Sequence, residues 1–182
     1  MSTNPYAPPV AVVETVPDPD RGSAYYFAVA GWKIVLMSLV TLGLYQIYWF
    51  YMNWARVKTR DRSNIMPAPR AIFGFFFCYA MFARVRKDGE AQGLSGPPGA
   101  GALATAWIVA SLAWRAPGAL ALLGVLSWFV LLPIQDYANR INAKVAPGHD
   151  RNAHLSWLNW IAVVLGGGFF VLVVIGLAIG DH

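Results

Sequence analysis

WKIVLMSLVTLGLYQIYWFYMNWARVKTRDR, residues 32–62, carries no charged side chain between Ile34 and Trp54. At 1.5 Å rise per residue, about 20 apolar residues cross a bilayer core, so this run is long enough for one helical span. Its far end is crowded with rings, Tyr48, Trp49, Tyr51 and Trp54 among them, and Arg56, Lys58, Arg60 and Arg62 follow at once. An apolar run, an aromatic belt and a basic flank together make a membrane signature. The expectation is an all-α, polytopic helical membrane protein.

The composition agrees with that expectation. Charged residues make up 13% of the chain and hydrophobic residues 57%. Soluble domains average about 25% charged residues. The formal net charge of +5 is clustered, which in such a chain points to anionic headgroups and a cytoplasmic face, with no nucleic-acid partner. Cys78 is the single cysteine, so no intrachain disulfide can form.

From this first run the rest of the chain divides readily. Residues 1–24 open on a proline-rich stretch without helical period, read as a disordered tail and not as a signal peptide. Residues 25–182 form a single helical domain. Spans are expected at about 33–54, 102–114, 119–135 and 157–180. The apolar run Ala71–Ala83 is too short to span and leads into Arg84, Arg86 and Lys87. It is read as one short re-entrant or interfacial helix, about 70–92, with Gly93 as its stop. Five spans are the alternative. Four spans put most of the Lys and Arg on one side, which the positive-inside rule favours.

Chemistry is sparse along these segments. Lys33, Arg115 and Asp136 lie at segment ends, and Ser38, Thr41 and Gln46 are read as helix-bonding polar groups. His149, Asp150 and His154 lack the spacing of a metal site, so no metal and no cofactor are expected. No GxSxG, P-loop, GxGxxG or HExxH occurs, and nothing argues for catalytic residues. Gly166-Gly167-Gly168 and the pairs Ala162/Gly166 and Gly176/Gly180 suggest close helix packing.

Two surfaces remain as candidates. The first is the lipid- or partner-binding cluster Tyr48, Trp49, Tyr51, Trp54, Arg56, Lys58, Arg60 and Arg62. Each basic residue beside an anionic membrane contributes about 1 kcal/mol. The second is a polar stripe of Gln135, Asp136, Asn139, Arg140 and Asn142, in which positions 135, 139 and 142 share a helical face.

Residues 41–54, TLGLYQIYWFYMNW, resemble the T-L-G-L-Y-x-x-Y-W-F-Y-x-x-W stretch that opens many small uncharacterised bacterial inner-membrane proteins of the domain-of-unknown-function type. The resemblance implies a bacterial inner-membrane location and no catalytic residues. The expected function is non-enzymatic: binding of membrane lipids, a membrane protein partner or a second copy of the chain through the basic face. One alternative is a transporter or channel subunit with Gln46, Asn53 and the 135–142 stripe lining a polar path. Another is a membrane enzyme acting on lipid through His149, Asp150 or His154.

Overall fold

A computed structural model describes residues 23–97 and 99–180; the side chains of residues 118–120, 122, 170, 173, 174 and 177–180 lie outside the description. The expected tail falls largely on residues 1–22, outside the described residues. The described chain is all-helical. It contains α1 (Gly31–Val40), α2 (Leu44–Arg60), α3 (Pro67–Ile72), α4 (Gly74–Ala91), α5 (Ala100–Leu112), α6 (Leu126–Val145) and α7 (Trp157–Gly180). Two 3₁₀ segments, Ala113–Arg115 and Gly118–Val125, join α5 to α6.

The deciding stretch is two helices, not one. Leu42 and Gly43 both take positive φ, 50° and 88°, and interrupt the helical hydrogen bonding. The Gly43 N–H donates to the Ser38 carbonyl at 2.7 Å, which terminates α1. The Thr41 hydroxyl serves both helices. It donates to the Met37 carbonyl at 2.6 Å and accepts from the Tyr45 N–H at 3.0 Å. The break leaves α1 with 10 residues, about 15 Å of length. The 17 residues of α2 include its basic C-terminal turn.

The other expected segments divide for similar reasons. Phe73 ends α3 outside helical geometry, and α4 carries its charged half to Ala91. Gly93 follows at φ 70°. The 13 residues of α5 tighten into 3₁₀ turns before Pro117. Among the described residues, no helix is long and apolar enough to cross a membrane. This corrects the expected four transmembrane helices with a re-entrant helix, the five-span alternative, and the transmembrane, inner-membrane and cell-membrane character inferred from them. The all-α class remains.

Aromatic rings dominate the core. Phe50 lies between Trp49, Trp107 and Phe82, with ring centroids 5.0, 5.1 and 6.3 Å away. Each such pair contributes about 0.5–1.5 kcal/mol beyond area burial. Trp49, Phe50, Phe82, Leu131, Ile134 and Ile141 are all buried, joining α2, α4 and α6. A largely buried non-helical segment, residues 24–30, bends at Tyr25 and Tyr26 and precedes α1, with Tyr26 and Val29 fully enclosed.

Candidate lipid-facing surface and its polar support

The residues of the expected basic aromatic cluster divide by helical phase. Trp49 and Trp54 point into the core at 0% and 1% exposure, whereas Tyr48 and Tyr51 are exposed. The Trp49 indole N–H donates to Gln135 Oε1 at 2.6 Å. Arg70 stacks over the Trp54 ring at 4.6 Å. Arg56 is half-buried beside Ala24 and Thr59. Lys58 and Arg62 are exposed.

Arg60 is engaged internally. It pairs with Asp61 at 2.8 Å, lies 2.8 Å from Asp88 and stacks on the Tyr25 ring at 4.6 Å. The Arg60–Asp88 contact is an ion pair without hydrogen-bond alignment. Arg84 pairs with Asp61, so two ion pairs join the basic ends of α2 and α4. The Tyr26 hydroxyl donates to the same Asp88 at 2.6 Å. Burial first, then the neighbouring Asp88 charge, raises the Tyr26 phenol well above its ordinary range, with Arg60 opposing.

Two exposed helix faces change character along their length. On α2 the outward positions run Leu44, Ile47, Tyr48 and Tyr51, then Lys58, with Arg62 just beyond the helix. On α4 they run Phe76 and Tyr79, then Lys87. Phe76 is 80% exposed. Each face passes from apolar to charged toward the end that the ion pairs hold together, where Asp61 and Glu90 are exposed beside the cations. Arg62 keeps a left-handed conformation, φ 47°, which glycine would adopt without strain.

Three residues of the polar stripe on α6 meet the backbone of residues 26–29. Gln135 and Asn142 are buried and face the non-helical segment of residues 24–30. Asn142 accepts from the Tyr26 N–H at 3.0 Å and donates to its carbonyl at 2.9 Å. Gln135 donates to the Phe27 carbonyl at 3.0 Å, and Asn139 to the Val29 carbonyl at 2.9 Å. Asn53, on α2, accepts from the Phe27 N–H at 3.1 Å. These four amides supply the hydrogen-bond partners that a buried non-helical backbone otherwise lacks. Asp136 and Arg140 point outward and pair at 3.4 Å.

Gln46 is buried at the wall of a cleft between the start of α2 and α5. It accepts from the Trp107 indole at 2.7 Å and donates to Ser127 at 3.3 Å. His149 contacts the Ala146 carbonyl at 2.9 Å. Among the described residues, no group of three His, Cys, Asp or Glu could hold a metal ion.

Sequence reasoning missed two polar anchors. Lys33, read as a solvated segment end, is buried and donates to Asn152 Oδ1 at 2.8 Å and the His154 carbonyl at 2.7 Å. With its amide oxygen turned toward the ammonium, Asn159 accepts a third bond at 3.0 Å. Burial lowers the Lys33 pKa, with Asp150 opposing. Asp88, the other anchor, carried no signal beyond its place in a basic run.

Together these features define an all-helical protein that exposes large apolar side chains beside a cationic rim. Comparison with protein-family models, with curated proteins and with solved structures finds no match.

Proposed function

We propose that the chain is a non-enzymatic binding protein whose ligand is an anionic lipid surface, engaged by the apolar-to-basic faces of α2 and α4. The supporting observation is the shared gradient: Tyr48 and Tyr51 lead to Lys58 and Arg62, while Phe76 and Tyr79 lead to Lys87. Exposed apolar groups of this size mark an interaction surface. Cations next to aromatic rings match the boundary where headgroups meet acyl chains. Residual strain at Arg62 is the kind of backbone cost found at functional positions. The reading requires no helix to cross the bilayer.

Flotation with vesicles tests it. Vesicles with about one third phosphatidylglycerol should recover the protein at low salt and less of it at high salt. Neutral phosphatidylcholine vesicles should recover little. The triple variant Lys58→Gln/Arg62→Gln/Lys87→Gln should lose about 1 kcal/mol per charge removed. Equal recovery on neutral vesicles, with no salt dependence, would reject the proposal.

A further inference from the structure

A cleft of about 400 Å³ opens at the break between α1 and α2, at the other end of α2 from Lys58 and Arg62. Its walls are mainly apolar, including Leu44, Ile47, Phe50, Phe75 and Trp107, with Arg115 also lining it. We infer that this cleft is a binding site for one single-chain anionic amphiphile, its alkyl chain against those walls and its carboxylate or phosphate on the Arg115 guanidinium.

Three features support a bound molecule of this kind. The volume falls in the range of small-ligand sites, and the wall is apolar with few polar groups, as such sites are. Gln46 has both ends of its amide occupied by Trp107 and Ser127, so the wall presents little competing polarity there. Arg115 is exposed and, among the described residues, makes no ion pair or hydrogen bond. A guanidinium left unpaired at an apolar cleft matches an anionic head with an alkyl tail, because its planar donor fork fits carboxylate and phosphate oxygens.

The lip of the cleft carries a further mark. Leu42, a bulky residue at φ 50°, lines it next to Gly43. Such a conformation is uncommon and costly for a branched side chain. The Ser111 hydroxyl in the same wall is buried without a hydrogen-bond partner. The cleft shares Leu44 and Ile47 with the apolar part of the α2 face but none of the basic rim, so loss of Arg115 tests the cleft and loss of Lys58, Arg62 and Lys87 tests the lipid-surface reading.

The test is calorimetric titration of the full chain with monomeric dodecanoate, dodecyl phosphate and dodecanol, below their aggregation concentrations. Both anions should bind with one-to-one stoichiometry, and dodecanol at least tenfold more weakly. Arg115→Gln, at an exposed position, should weaken both anions about tenfold and leave dodecanol unchanged. Ile47→Trp, which fills the cleft, should weaken all three. A preference between the two anions identifies the source, fatty acid or phosphorylated lipid. Anion and alcohol binding alike, or anion binding unaffected by Arg115→Gln, would overturn the site. So would several equivalent sites per chain, since that is adsorption to exposed apolar surface.

Discussion

Asn142 closes two hydrogen bonds on the backbone of Tyr26 alone, accepting from its N–H at 3.0 Å and donating to its carbonyl at 2.9 Å. One carboxamide thus satisfies both backbone groups of a residue that lies outside any helix. Both residues are fully buried, so water cannot take over either bond.

Asn142→Ala therefore strands a buried donor and a buried acceptor at once. Each unsatisfied group costs about 1–3 kcal/mol, so the variant should lose about 2–6 kcal/mol in urea unfolding. Asn139→Ala removes only the bond to the Val29 carbonyl from a half-buried position, where water can substitute. It should lose less than Asn142→Ala. Equal losses would show that the clasp does not depend on burial.

The Tyr26 phenol predicts an alkaline limit to stability. Its folded pKa is raised above the ordinary 10.0, first by burial and then by Asp88. Below pH 10 both folded and unfolded states hold the proton, and its stabilising effect is complete. Above pH 10 the unfolded state releases the proton while the folded state keeps it, so stability falls by up to about 1.4 kcal/mol per pH unit. Lys33 acts in the opposite sense, because its folded pKa is lowered from 10.5. Between those two values the unfolded state binds the extra proton, so stability rises with pH there. Tyr45 and Tyr137 are raised by burial as well and add to the decline, so Tyr26→Phe should make it shallower without abolishing it, read from urea midpoints between pH 9 and 11.

The helical class was legible from the apolar runs, and some helix ends were legible from the punctuation between them. Gly93 after a charged run and Pro117 after an apolar one both mark real ends. The break at Thr41–Gly43 was not legible, because no charge or proline accompanies Gly43 and apolar residues continue on both sides. Composition likewise hid the division within the basic aromatic cluster. Trp49 and Tyr48 are neighbours in sequence and face opposite ways, since one helical residue turns about 100°. The polar stripe was visible by its spacing, but its occupant was not. Nothing local indicates that residues more than 100 positions earlier will lie against it.

Glycine placement in α7 gives a sharper contrast than the sequence offers. A Cβ at Gly166 would collide with the Val40 carbonyl of α1, whereas one at Gly167 would meet nothing within 4 Å. Gly166→Ala should push α1 and α7 apart and cost about 1–3 kcal/mol, as overpacking does. Gly167→Ala should be neutral or stabilise by up to about 1 kcal/mol through lower unfolded-state entropy. Thermal unfolding of the two variants side by side checks the difference. Similar effects from both would remove Gly166 as the point of close approach.

Lys33 links α1 to the segment entering α7. Its ammonium reaches Asn152, the His154 carbonyl and, with the amide so oriented, Asn159. Lys33→Met keeps the buried stem but removes all three donors, while relieving the cost of enclosing a charge. The two effects oppose one another in global stability, which should change by about 1 kcal/mol or less. The local effect should be larger. Hydrogen exchange in residues 150–160 should speed up well beyond that in α2 or α6, because the lost bonds all lie there. Uniform acceleration across the chain would mean that Lys33 supports the whole fold, not the α1–α7 junction.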